Sequence, residues 1–216
     1  VRHQSTSGPG QRRPCGPAQA GALTAGPGAV ALEAGHAELV ARLARGERAA
    51  LARVLTLLER DPAMLAPLDA AIAPLGGRAY TVGVTGAPGA GKSTLVGALL
   101  EEALARHQRT AVLALDPVSP LSEGAILGDR MRMEAVAGDE RLFVRSLGAR
   151  RARGGLSLVA PFAIRAIDAA GWPIILIETV GVGQNEIDVV DAACTTVVVL
   201  TPGMGDEVQA IKAGLM

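Results

Sequence analysis

Residues 86–93 read Gly-Ala-Pro-Gly-Ala-Gly-Lys-Ser and satisfy the pattern G-x-x-x-x-G-K-[ST] in full. An apolar segment at 80–85 precedes them, and residues 93–107 follow with apolar side chains at helical spacing. Strand, glycine-rich loop and helix in that order specify a phosphate-binding loop. The glycines let backbone N–H groups converge on phosphate oxygens, and the helix N-terminus adds its positive dipole end. The nucleotide contacts assigned on this basis are Gly86, Ala87, Pro88, Gly89, Ala90, Gly91, Lys92, Ser93 and Thr94. Lys92 is expected to reach the β- and γ-phosphates, and the Ser93 hydroxyl to ligate Mg²⁺.

The same grammar continues outward from this loop. Strands are expected at 110–115, 142–145, 173–177 and 195–200. Helices are expected at 128–137, 156–170 and 186–193, and a further one begins at 206. Short apolar strands alternating with helices imply an α/β fold, a mainly parallel sheet flanked by helices. Leu95, Val96, Leu99, Leu100 and Leu104 are available to the sheet from the helix after the phosphate loop. Upstream, Leu39, Val40 and Leu43, then Ala50, Leu51, Val54, Leu55 and Leu58, recur at helical spacing on either side of Gly46. Asp61 and Pro62 are placed as N-cap and first residue of another short helix running towards Ile72. The chain therefore divides into a disordered Gly/Pro/Ala-rich leader at 1–35, a small helical subdomain at 36–77 and a P-loop domain at 78–216.

Composition excludes several classes. Of 216 residues, 49% are hydrophobic and 19% charged, enough to bury a core and too apolar for a wholly disordered chain. The 21 Lys and Arg balance 21 Asp and Glu, so no basic nucleic-acid footprint exists. Four aromatic residues, Tyr80, Phe143, Phe162 and Trp172, offer no platform for stacked bases. No apolar run has the length of a membrane-spanning helix. Cys15 and Cys194 form neither a disulfide framework nor a zinc site, and Cys194 reads as a core residue. A cytoplasmic location follows. Residues 1–30 hold Arg2, Arg12 and Arg13 without an acid, as organelle transit peptides do, which would send the chain to the mitochondrial matrix. The Gly and Pro content there opposes the amphipathic helix of such peptides. His3, His36 and His107 are isolated and read as surface residues.

Two acids stand where strands are expected to end. Asp116 follows 112–115 and Glu178 follows 174–177. At one edge of a parallel sheet both could face the phosphate loop and offer the hard oxygens that Mg²⁺ requires. Glu178-Thr179-Val180-Gly181 has the form of a GTPase third motif with glutamate for aspartate, and Gly181 would bring its N–H to the γ-phosphate. Gln184 either orients a water or opens a helix as an ordinary polar residue.

Four segments together resemble the MeaB/ArgK GTPases, which accompany adenosylcobalamin-dependent acyl-CoA mutases. They are GVTGAPGAGKSTL (83–95), LDPVSPLSEGAILGDRMRM (115–133), ETVGVGQNEIDVVDAA (178–193) and PGMGDEVQAIKAGLM (202–216). The resemblance covers about residues 36–216. It implies a sheet like those of the signal-recognition and nickel-insertion GTPases. Lys92, Asp129 and Glu178 take catalytic positions, and Ser93, Asp116, Asp129 and Glu178 surround Mg²⁺. Residues 121–130 correspond to a first switch and 178–185 to a second. A third switch that meets the mutase corresponds to Gly203, Gly205, Asp206, Glu207 and Lys212, with Gln184 also on the partner side. The implied activity is GTP hydrolysis that gates adenosylcobalamin loading and protects a mutase such as methylmalonyl-CoA mutase, by a protein that is a homodimer at full length. No cobalamin ligand is identified in the chain, and neither nucleic acid nor membrane is an expected partner.

The chain departs from the family at Val118, Glu123 and Asn185, where serine, glycine and serine are usual. Arg145, Arg150, Arg151 and Arg153 are crowded into nine residues, read either as a phosphate- or partner-binding loop or as a solvated basic loop. No Asn-Lys-x-Asp guanine-reading motif occurs before Met216, so the sequence reads as C-terminally truncated with an incomplete sheet. GTP over ATP rests on the resemblance alone. The competing functions are a nickel-insertion GTPase, a small-molecule kinase of the arginine/ornithine transport type, and an inactive truncated remnant.

Overall fold

The computed structural model describes residues 32–116, 139–148, 156–179 and 193–201. Five strands form one sheet: β1 (Tyr80–Gly86), β2 (Thr110–Asp116), β3 (Leu142–Gly148), β4 (Ile174–Thr179) and β5 (Thr195–Val199). Their order is β3-β2-β4-β1-β5, and every pairing is parallel. Before the sheet come three helices, α1 (Ala34–Ala44), α2 (Arg48–Arg60) and α3 (Leu65–Ile72). Helix α4 (Lys92–Ala105) joins β1 to β2, and α5 (Leu156–Ala169) precedes β4.

Side chains alternate across a strand, so each strand feeds two cores. Val112 and Leu176 pack with Val84 and Leu142 against Val96, Leu100 and Leu104 of α4. Ala111, Leu113, Ile175 and Ile177 take the opposite face and pack against Ile164 and Ile167 of α5. Leu43, Leu51, Val54, Leu55, Leu58, Leu68 and Ile72 belong to this second cluster. The first three helices thus share a core with α5 and the sheet. Gly46, at φ +79°, breaks α1 from α2, as left-handed glycines do beyond a helix end.

Polar contacts fix the helices to the sheet. Asp168 of α5, which is buried, accepts the backbone N–H groups of Gly77, of Arg78 at 3.2 Å and of Ala79 at 2.9 Å. Arg165 Nε donates to Asp69 Oδ1 at 2.5 Å, joining α5 to α3. Arg145 of β3 pairs with Glu59 of α2.

Several expectations need correction. Strand β4 runs to Thr179, so Glu178 lies inside it, because its neighbours on both sides continue the ladder to that level. Strand β3 extends to Gly148, paired throughout with β2. Arg145 lies in a strand, as expected at 142–145, and so is no part of a basic loop. The segment from Pro62 is split into a 3₁₀ turn (Pro62–Met64) and α3. Leu99 is 36% exposed: Val96, Leu100 and Leu104 form the inward stripe at four-residue spacing, and Leu99 sits about 100° from it. Cys194, expected as a core residue, is half-buried. The leader and the helices expected at 128–137, 186–193 and from 206 lie outside the described residues. No described helix is long and apolar enough to cross a membrane.

Candidate nucleotide site

The phosphate loop lies between the end of β1 and the first residue of α4, with β4 on one side of β1 and β5 on the other. Its turn demands glycine at three places: Gly86, Gly89 and Gly91 have φ of +139°, +76° and +94°. Gly91 is the left-handed N-cap of α4. At Gly86 the constraint is also steric, since a Cβ would lie 2.2 Å from the carbonyl oxygen of Val199. The close approach of β5 to the loop thus requires the motif's first glycine.

Lys92 opens α4 and is only 6% exposed. Its ammonium donates to the carbonyls of Gly86 at 2.7 Å and Ala87 at 2.8 Å. The long side chain therefore folds back over its own loop and holds a positive charge at the end of β1. A flexible point charge with three rotatable donors suits an exchange of loop carbonyls for phosphate oxygens.

Glu178 stands in β4 opposite Val84 of β1 and Ala114 of β2. This register brings it against the start of α4, where the Ser93 hydroxyl donates to Glu178 Oε1. Two hard oxygen donors are thus adjacent beside the phosphate loop, a donor chemistry that fits Mg²⁺. Ser93 and Glu178 are the residues that would hold the ion, which would neutralise charge on a bound triphosphate. Asp116 is the last residue of β2 and pairs with Gly148, so its backbone lies at the same edge of the sheet.

The structure therefore brings Lys92, Ser93 and Glu178 together, although Glu178 stands 85 residues beyond Ser93 in the chain. Thr94 follows them in the first turn of α4. Asp129, Gly181, Gln184, Gly203, Gly205, Asp206, Glu207 and Lys212 lie outside the described residues. Sequence reasoning missed Glu59, an acid 2% exposed, and its pairing with Arg145. The available signal was position: Glu59 stands four residues after Leu55 on the inward side of α2.

A parallel sheet with a G-x-x-x-x-G-K-S loop after β1 and an acid on the adjacent strand β4 defines a P-loop nucleoside triphosphatase domain. The family model described as "Methylmalonyl Co-A mutase-associated GTPase MeaB" matches residues 51–216, and the chain belongs to that family. The GTPase ArgK of Escherichia coli is 41% identical over 188 residues, covering 85% of this chain and 57% of that protein. A mitochondrial methylmalonic aciduria type A homolog of Caenorhabditis briggsae is 34% identical over 193 residues, covering 82% of this chain and 47% of that one. The crystal structure of a LAO/AO transport system kinase superposes with a TM-score of 0.60 at 32% identity, over 79% of this chain and 51% of that one. The chain spans about half the length of the curated relatives it matches.

Proposed function

We propose that the chain supplies the phosphate- and metal-binding half of a GTPase that serves an adenosylcobalamin-dependent acyl-CoA mutase, methylmalonyl-CoA mutase in the first instance. The observation that carries the reading is the meeting of Lys92, Ser93 and Glu178 at the end of β1, in a chain of the MeaB family. Water attacks the γ-phosphorus, the bond to the β–γ bridging oxygen breaks, and GDP and phosphate leave. Lys92 stabilises charge on the transferring phosphoryl group, and the loop N–H groups orient it. Ser93, Asp116, Asp129 and Glu178 attend the metal, Gly181 the γ-phosphate, and Gln184 the partner side of the second switch. Hydrolysis gates cofactor loading and protects the mutase. The full-length protein acts as a homodimer in the cytosol.

Replacing Glu178 by glutamine keeps an oxygen beside Ser93 but removes the negative charge that attracts the cation. The Mg²⁺ concentration for half-maximal hydrolysis should rise about tenfold or more. An unchanged Mg²⁺ titration would take Glu178 out of the metal site.

Asp206, Glu207 and Lys212, with Gly203 and Gly205, are the residues proposed to meet the mutase. Asp206→Ala and Lys212→Ala should each abolish most of the mutase-stimulated increase in GTP hydrolysis while leaving the basal rate within about twofold. Equal loss of both rates would assign these residues to the nucleotide site or the fold.

A second reading is favoured by the structural likeness to a LAO/AO transport system kinase. A kinase would place the γ-phosphate on an amino-acid or protein acceptor instead of water. Labelled GTP and ATP with and without the mutase separate the two: inorganic phosphate released faster with mutase supports the GTPase, and label on an acceptor supports the kinase.

A further inference from the structure

The three-helix layer is fastened to the rest of the fold at two places of different quality. On the α5 side the polar links are complete. Arg165 closes on Asp69 of α3, and the Asp168 carboxylate takes three backbone N–H groups from residues 77–79, the segment that leads from the layer into β1. On the β3 side they are not. Arg145 Nη2 donates to Glu59 Oε2 and, at 3.2 Å, to Thr56 Oγ1. Glu59 Oε1 and Arg145 Nε are buried without any hydrogen-bond partner.

A buried ion pair stabilises only when its remaining lone pairs and protons are also met. Here one acceptor and one donor are left over within the same pair, each at a desolvation cost. A guanidinium has another way to meet a carboxylate, side-on through Nε and Nη2 together, which would satisfy both Glu59 oxygens and the leftover Nε–H. The two arrangements differ by a short slide of Arg145 past α2. Position gives that slide a cause. Arg145 is three residues before Gly148, which pairs with Asp116 at the nucleotide edge of the sheet. A strand paired along its whole length moves as a unit, so a shift at Gly148 reaches Arg145.

We propose that the Glu59–Arg145 pair is a two-position contact through which occupancy of the nucleotide site sets the seating of α2. The layer pivots on its fixed attachment to α5, and the pair moves from the end-on arrangement to the side-on one when nucleotide binds. This rests on the nucleotide reading above.

The test uses the full-length protein with a non-hydrolysable GTP analogue and Mg²⁺. Amide hydrogen exchange in peptides covering residues 48–60 should slow about threefold or more on binding. In Glu59→Met/Arg145→Met, which removes both charges at similar volume, the analogue should bind within about twofold of wild type while the change in α2 disappears. The Arg145 Nε–H resonance, assigned by its loss in Arg145→Lys, gives a reading that needs no double variant. It should become protected from exchange only with the analogue bound. An α2 response that persists in the double variant, or an Nε–H that ignores a bound analogue, overturns the proposal. Failure of the analogue to bind at all overturns the nucleotide reading instead, and the relay with it.

Discussion

Lys92→Ala should lower GTP turnover by about 10²-fold or more, the scale for loss of a positioned charge that stabilises a transferring phosphoryl group. The geometry gives the effect its direction. The Lys92 ammonium is buried and hydrogen-bonded to the carbonyls of Gly86 and Ala87. Those carbonyls belong to the loop whose N–H groups are proposed to meet the phosphates, so the loop's own backbone holds the charge beside that proposed site. Alanine removes the charge and the tie across the loop together. Binding and turnover should therefore both fall, kcat more than affinity, because charge on the phosphoryl oxygens is redistributed in the transition state. Steady-state phosphate release by the full-length protein, with nucleotide affinity measured separately, separates the two losses. Turnover equal to wild type would remove Lys92 from the phosphate site and the phosphate-loop assignment with it.

What could be read from sequence depended on how local the cause was. The phosphate loop was legible because its requirements, left-handed glycines and a lysine at the start of a helix, lie within eight residues. The strands were legible as short apolar runs, but their ends were not. Glu178 looks like a loop residue by type, yet it continues β4 because Val84 and Ala114 offer pairing partners at that level. Register across a sheet is not written in the strand itself. The same holds for burial of charge. Glu59 meets an arginine 86 residues away, and Asp168 meets backbone groups 89 to 91 residues away. Each carboxylate alone reads as a surface residue, the ordinary fate of acids. Arg145 ends the strand expected at 142–145 and by sequence is grouped with the arginines that follow it, whereas its neighbour in space is Glu59.

Gly86→Ala should destabilise the protein by about 3 kcal/mol or more, combining a strained left-handed backbone with a steric overlap. The added methyl would stand 2.2 Å from Val199 O and 3.1 Å from both Val199 C and Val199 N. These are backbone atoms of β5, which no rotamer change can move aside. Relief requires β5 to leave its register with β1, where Gly86 pairs with Val199, or requires Gly86 to abandon its φ of +139°. Either course also displaces Ala87, and with it a carbonyl that receives Lys92. Gly97 supplies the opposite case within the adjoining helix. It lies inside α4, and a Cβ there would meet nothing within 4 Å. Gly97→Ala should stabilise by about 0.5–1 kcal/mol through helix propensity. Denaturant unfolding of the two variants beside wild type checks both signs in one experiment. A Gly86→Ala protein as stable as wild type would show that β5 does not approach the phosphate loop as closely as the pairing of Gly86 with Val199 requires.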